Sequence, residues 1–225
     1  MPGNFIDALM PSFGATLATV LVAGAGGIMT GIPLGMALHM ARWRPARAGR
    51  GAIGGWLARL AVHGIRSTPS IVVLVVAMTL VHHLPIDPGG LAATALPLVL
   101  LSALFMARKT DAALDEVDQD LVEAARGMGA DDWQIALGVL LPESRPELIS
   151  AMGPALAALV GYSALAGAIG GSGLGGLGMR YGYHEFLPEA MLAIAAILLA
   201  LAESALTAAF FLSRRFDRRR GPDLY

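Results

Sequence analysis

Long apolar stretches and short charged stretches alternate along this chain of 225 residues. A helix that crosses the ~30 Å hydrocarbon core of a bilayer needs about 20 predominantly apolar residues. The alternation predicts about five transmembrane helices, over residues 13–40, 67–84, 91–107, 148–170 and 189–212. We therefore predict an all-α integral membrane protein in which residues 1–225 form a single transmembrane domain.

Basic residues are concentrated on one side of these predicted helices. The two loops on one side contain only Arg180, and all other lysines and arginines lie on the opposite side. Cytoplasmic loops of membrane proteins carry an excess of lysine and arginine. This distribution predicts a multi-pass protein whose N-terminus is outside and whose C-terminus is inside.

The longest charged loop, residues 108–147, carries signals for two short helices. Residues 121–128 are good helix formers, and Gly129 can end that helix by adopting a positive φ. Asp131 and Gln134 have the spacing of a capping box at the start of a second helix. Ser144 and Glu147 repeat that spacing before the fourth span. We predict a rigid two-helix loop on the cytoplasmic side.

The composition excludes several classes of function. The chain is 56% hydrophobic and only 15% charged, whereas soluble domains are about 25% charged. It has no cysteine, so disulfides and thiolate metal sites are excluded, and its five histidines lack metal-ligand spacing. A Gly-x-x-x-x-Gly-Lys-Ser/Thr phosphate loop is also missing. We expect this chain to have no ATPase activity and to bind no cofactor, metal or nucleic acid. We expect it to be surrounded by membrane lipid.

The charged loop contains Glu123-Ala124-Ala125, Gly129 and Val139-Leu140-Leu141-Pro142. This segment resembles the cytoplasmic loop of permease subunits from ATP-binding-cassette importers. In that family the pattern is Glu-Ala-Ala, three residues, Gly, nine residues, an aliphatic residue, any residue and Leu-Pro, and this chain has each element at that spacing. The resemblance implies a type I importer permease fold and a coupling loop that docks on an ATPase. The implied coupling residues are Glu123, Ala124, Ala125, Gly129, Leu141 and Pro142.

The resemblance also implies partners and a location. It implies a homodimer, two ATPase subunits on the cytoplasmic side that hold ATP and Mg²⁺, and a periplasmic or lipoprotein substrate-binding protein. The implied location is the inner membrane of a bacterium. Residues 66–72, 161–171 and 180–183 further resemble the permeases of methionine importers, which implies D- and L-methionine as substrates. The last span ends without the Gly-Asp typical of that family, so another amino acid or a methionine-related compound stays open.

Glycines within the spans indicate close packing and irregular backbone. Gly27, Gly31 and Gly35 share one helical face, which allows another helix to approach closely, either statically or with sliding. The run 170–178 is too rich in glycine for a straight helix. Irregular backbone at membrane depth must be buried in protein or line a cavity. The alternative is that the run is a flexible external loop. We predict that the translocation path or its gate is lined by Tyr162, Ser163, Leu165, Gly167 and Glu203.

Glu203 lies inside the fifth predicted span. A centred acid costs about 2.5–3.5 kcal/mol on insertion scales, so it needs a partner or water. One interpretation is a hydrogen bond to Ser204, Thr207 or a neighbouring helix, and the other is a position on the path. A stand-alone secondary transporter would need more such groups, and a scaffold protein would not explain the Glu-Ala-Ala spacing.

Overall fold

The computed structural model describes residues 3–43, 64, 69–85 and 90–216. Throughout these ranges the regular structure is helical. The helices are α1 (Gly3–Trp43), α2 (Ser70–His82), α3 (Leu91–Asp115), α4 (Gln119–Gly127), α5 (Asp132–Ile135), α6 (Leu141–Glu143), α7 (Arg145–Ala168), α8 (Leu174–Gly178) and α9 (Pro188–Phe216). Wide π-helical turns occupy Ala136–Leu140 and Met179–His184. The arginines between α1 and α2 and four of the five C-terminal arginines lie outside the described side chains, and much of the predicted orientation depends on them. Of the C-terminal five, Arg214 is described, at the end of α9.

Four of the described helices, α1, α3, α7 and α9, are long and apolar enough to cross a membrane. Helix α2 has 13 residues, fewer than the ~20 that a crossing needs, and residues 65–68 before it lie outside the description. The second crossing therefore stays a prediction. Helix α3 continues to Asp115, past the predicted limit at residue 107. Charged residues from Arg108 onward end the apolar stretch, but they do not end a helix.

Helices α1 and α3 pack side by side and run in the same direction. Residue numbers increase in the same order along both helices in successive contacts: Gly27 contacts Ser102, Gly31 contacts Met106 and Gly35 contacts Ala107. An added Cβ at Gly35 would lie 2.5 Å from the backbone oxygen of Ala107, so only glycine fits there. The contacts confirm the predicted shared face and show that α3 covers it.

The remaining long helices complete a central core. Helix α7 is antiparallel to α9, since Gly153 near the start of α7 packs against Ala209 near the end of α9. Residues from α1, α2, α3 and α7 form the buried core: Val20, Ala23, Leu74, Leu98, Leu101, Leu159 and Val160. Helix α9 covers this core from one side only. In the most apolar stretch of α9, 11% of the residues are buried, whereas 50% are buried in the corresponding stretch of α3. Most of the surface of α9 is therefore left uncovered within the chain.

The two ends of the bundle carry different segments. Residues 116–144, here named the connector, join α3 to α7 at the end where α1 and α3 finish. Residues 169–187, here named the glycine segment, join α7 to α9 at the opposite end. The residues that the sequence singles out for coupling therefore lie far along the bundle from the predicted gate residues of α7.

Candidate functional site: the connector and the glycine segment

The first helix of the connector, α4, has a defined start and a defined end. The Asp118 carboxylate caps its start by accepting from the Asp120 N–H at 3.0 Å. Gly129 has φ +85°, as predicted. The Ala130 N–H donates to the Ala125 carbonyl at 3.1 Å and the Gly129 N–H to the Arg126 carbonyl at 3.0 Å. These two bonds form a Schellman motif, which fixes the direction in which the chain leaves α4.

The second helix of the connector begins with the predicted capping box. The Gln134 N–H donates to the Asp131 carboxylate at 2.7 Å, and the Gln134 side-chain oxygen accepts from the Asp131 N–H at 2.9 Å. The helix then widens into the π-helical turn Ala136–Leu140 before it reaches Leu141 and Pro142. In a regular α-helix the proline ring would meet the carbonyl four residues earlier. The wide turn relieves this contact and lets the helix continue through the Leu-Pro pair.

The predicted capping box of Ser144 and Glu147 is wrong. Ser144 has φ −81° and ψ −2°, close to helical values, whereas a capping residue is extended. Its hydroxyl donates backwards to the Leu141 carbonyl at 3.3 Å. Backbone bonds run through the junction, from the Ser144 N–H to the Leu140 carbonyl and from the Leu148 N–H to the Ser144 carbonyl. Helix α7 thus follows α6 without the break that a cap requires.

The connector has its own apolar core, which separates the coupling residues into two groups. The core consists of Leu114, Val117, Val122, Ala125, Ile135 and Leu140, with Met36 of α1 packed against it. Ala125 is 5% exposed and points into this core, so its small size serves internal packing. Glu123 and Ala124 are exposed on the opposite side of α4, and Leu141 and Pro142 are half-buried. The connector is therefore a compact body that presents Glu123 and Ala124 outward.

Substitution of Gly129 by Ala should destabilise the connector. An added Cβ meets no atom within 4 Å, so the effect comes from the positive φ alone, and we expect a loss of about 1–2 kcal/mol. The matched control is Gly127→Ala, two residues earlier in α4, where the added Cβ is equally free and φ is helical. That variant should match or exceed the wild type in stability. Thermal unfolding of the purified protein measures both, and equal midpoints for the two variants would contradict this account.

The glycine segment is folded back onto the bundle. Helix α7 ends at Ala168, and Gly170 and Gly173 have φ values of +113° and +101°, which confirms that the run is no straight helix. Its buried residues Leu174, Leu177 and Tyr181 pack with Phe5, Ala190 and Ile194 from the ends of α1 and α9. The rings of Tyr181 and Phe5 meet edge to face at 5.3 Å. The part of the segment from Gly173 to Tyr181 therefore packs against the bundle, whereas Gly170 and residues 183–186 are exposed.

Close backbone contacts hold the glycine segment to α7 and α1. An added Cβ at Gly167 would lie 2.6 Å from the Gly176 nitrogen, and one at Gly175 would overlap the Ala164 carbonyl oxygen. The buried Thr16 hydroxyl of α1 accepts a hydrogen bond from the Leu174 N–H at 2.8 Å. Thr16 thereby caps α8 from a helix far away in the sequence.

The predicted path residues fall into a packed group and an exposed group. Ser163 and Gly167 are buried, and the Ser163 hydroxyl donates to the Val160 carbonyl at 2.8 Å. Tyr162 is half-buried beside Arg108, where it lines a cavity of about 10 Å³, room for about one water molecule. Leu165 is 41% exposed, and Glu203 is exposed on the uncovered surface of α9.

The predicted hydrogen bond of Glu203 within the chain is not formed among the described residues. Ser204, one of its expected partners, donates its hydroxyl to the Leu201 carbonyl at 2.7 Å. Leu201 and Ala202 face the core. This orientation turns Glu203 away from α7. Whatever surrounds the Glu203 carboxylate therefore lies outside the described residues.

Sequence reasoning missed a buried polar cluster at the connector end of the bundle. His39 of α1 is fully buried, and its Nδ1 lies 3.4 Å from the carboxylates of both Asp111 and Asp115. Three possible metal-ligand atoms of these residues lie within 4.8 Å of one another. The sequence contained one signal for this cluster: His39 continues the four-residue repeat of Gly27, Gly31 and Gly35, which places it on the same face of α1.

These features define the class of protein: a helical membrane protein that carries the compact connector at one end and an inward-folded glycine segment at the other. Comparison with known proteins gives the family. The model of the family described as "binding-protein-dependent transport system inner membrane component" matches residues 27–221. This chain belongs to that family and has the type I importer permease fold.

Relatives and solved structures agree with this assignment. A probable D-methionine transport system permease protein from Vibrio cholerae is 35% identical over 219 residues, 95% of this chain and 94% of the relative. The D-methionine permease of Escherichia coli K12 is 38% identical over 68% of this chain and 69% of its own. A structure of the MetNI methionine ABC transporter in an inward-facing conformation has a TM-score of 0.85 and 34% identity, covering 97% of this chain and 100% of the other. A structure of an amino acid ABC transporter is 20% identical with a TM-score of 0.70, which concerns the fold alone.

Proposed function

We propose that this chain is the permease subunit of an ATP-binding-cassette importer that moves methionine, D or L, into the cell. The observation that carries the proposal is the connector, a capped and internally packed body with Glu123 and Ala124 exposed on its outer side. The names of the relatives support methionine as the substrate. Another amino acid or a methionine-related compound is the alternative, since a separate binding protein sets much of the specificity in such systems.

In this proposal the connector faces the cytoplasm and docks on an ATPase subunit. Glu123, Ala124 and Gly129 form the contact, and Ala125, Leu141 and Pro142 keep the connector in shape. Two such chains form the transmembrane dimer in a bacterial inner membrane, with the N-terminus outside. Two ATPase subunits bind ATP and Mg²⁺, and the permease hydrolyses nothing itself. ATP drives alternating access because it favours one conformation of the complex over the other.

The proposed path lies along the exposed side of α7 and α9. Leu165 and Glu203 are exposed in the single chain. A carboxylate facing lipid at that depth would be costly, so water or the second copy of the chain is the more stable surrounding for Glu203. Tyr162, Ser163 and Gly167 support the same wall from behind, and the glycine segment closes its outer end. A substrate-binding protein would dock at that end.

Substitution of Leu165 by Trp should lower methionine uptake while the complex still assembles. The side chain is exposed, so the indole needs no room inside the protomer, and it would narrow the proposed path. We expect a loss of about tenfold, corresponding to about 1.4 kcal/mol in the transport barrier. The matched control is Leu21→Trp on α1, which is also exposed at 57%. Radiolabelled uptake in proteoliposomes measures both, and wild-type uptake by the Leu165 variant would remove Leu165 from the gate.

Reconstitution tests the function as a whole. The permease, the ATPase and the binding protein are placed in proteoliposomes, and each component and ATP are then omitted in turn. Methionine uptake should need all four. Uptake by the permease alone under an ion gradient would contradict the importer assignment. Titration of the binding protein with methionine and other amino acids then decides the substrate. Tight binding of a different amino acid would contradict methionine as the substrate but would leave the importer function in place.

A further inference from the structure

The stripe of glycines on α1 ends in a polar contact. Gly27, Gly31 and Gly35 follow each other at intervals of four and lie directly against α3. His39 is the next position in that interval and the first with a large side chain. It lies near the end of α1, beside the last turns of α3 before the connector begins, so its contacts attach α1 to α3 at that point.

His39 is held between two carboxylates of α3. Its Nδ1 lies 3.4 Å from the Asp111 Oδ1 and 3.4 Å from the Asp115 Oδ1. The side chains of His39 and Asp111 are 1% and 2% exposed, whereas that of Asp115 is 45% exposed. The contacts are ion pairs when His39 is protonated. Separation of the two helices would take the buried His39 side chain away from both carboxylates, so the contact resists that separation.

The same turns of α1 and α3 contact the connector core. Leu114, between Asp111 and Asp115, is fully buried in that core. Met36, one turn before His39, packs against it from α1. The polar contacts of His39 and these apolar contacts therefore act at one place, where α1, α3 and the connector meet.

We propose that His39 is a positioning residue that ties α1 to the connector, so that α1 moves with the connector when the ATPases move it. This inference rests on the proposed importer function. At the other end of α1, Thr16 caps α8 in the glycine segment. Helix α1 then links the docking body to the predicted outer gate, and the His39 contact keeps that linkage stiff at the connector.

The experiment measures methionine molecules imported per ATP hydrolysed by the reconstituted complex. His39→Gln keeps a polar side chain of similar length but carries no charge, and Asp115→Asn changes the half-exposed partner. We expect the ratio to fall at least about threefold for His39→Gln and about twofold for Asp115→Asn, with ATP hydrolysis maintained. The matched control is Glu116→Gln, which removes an exposed carboxylate next to Asp115 and should leave the ratio unchanged.

A double variant shows whether His39 and Asp115 act through their mutual contact or independently of each other. If His39 acts through Asp115, the double variant His39→Gln/Asp115→Asn should be no worse than His39→Gln alone. Losses that multiply would overturn the inference, and so would a wild-type ratio in both single variants. If the His39→Gln complex does not assemble, the import ratio of Asp115→Asn is compared with that of Glu116→Gln, and an equal ratio would overturn the inference. Failure of the wild-type complex to show ATP-dependent uptake would instead contradict the importer function itself.

Discussion

Replacing Ala124 with Trp is expected to reduce ATP-driven uptake about 5- to 150-fold while the permease still folds. Ala124 is exposed on α4, opposite the buried Val122 and Ala125, so the indole needs no room within the chain. In the proposed complex a partner surface approaches this position closely. Inserting bulk into a packed contact costs about 1–3 kcal/mol, enough to weaken docking about 5- to 150-fold. Uptake in proteoliposomes and co-purification of the ATPase measure the effect.

The control for this prediction uses the same position. Ala124→Ser stays small and should retain most of the uptake, whereas Ala124→Trp should lose both uptake and bound ATPase. Thermal unfolding of the isolated permease should be similar for the two variants. A Trp variant with normal uptake would show that the outer side of α4 is not the docking surface, even if the chain needs an ATPase.

Replacing Gly175 with Ala is expected to disrupt the glycine end of the bundle. The new methyl group would overlap the carbonyl oxygen of Ala164, a backbone atom that no rotamer change can move. Overpacking of this kind costs about 1–3 kcal/mol or more, and we expect the upper end of that range because backbone must shift. The purified protein should unfold at a clearly lower temperature, and uptake should be lost.

A glycine of α7 provides the control for the Gly175 variant. Gly161 lies in the middle of that helix, and an added Cβ there meets no atom within 4 Å. Gly161→Ala should therefore be neutral or stabilise the helix by up to about 1 kcal/mol. Unfolding midpoints that fall equally for both variants would mean that helix composition, rather than the contact with Ala164, sets the stability of this end.

Local features of the connector could be predicted from the sequence because each depends on neighbouring residues. The positive φ of Gly129 and the capping box of Asp131 and Gln134 arise within one or two helical turns. The box expected at Ser144 failed for the same reason. Its residue pattern is correct, but the helix runs on through the junction, and a four-residue pattern contains no information on that continuity.

Contacts between distant residues could not be predicted in this way. The polar character of His39 was visible, but its partner Asp111 lies in another helix, and only the packing of glycines against α3 brings them together. The orientation of α9 is a similar case. Its spanning stretch is predominantly apolar, so mean hydropathy alone did not show that Glu203 faces away from the core.

The hydrogen bond from the Leu174 N–H to Thr16 has a consequence for biosynthesis. Its two residues are 158 positions apart, so a helix that is synthesised earlier carries the group that the glycine segment needs. Helix α8 has only five residues, too few to be stable by itself. The glycine segment can therefore settle only after α7 has been synthesised and has taken its place beside α1. Until then, the end of the bundle at the glycine segment remains open.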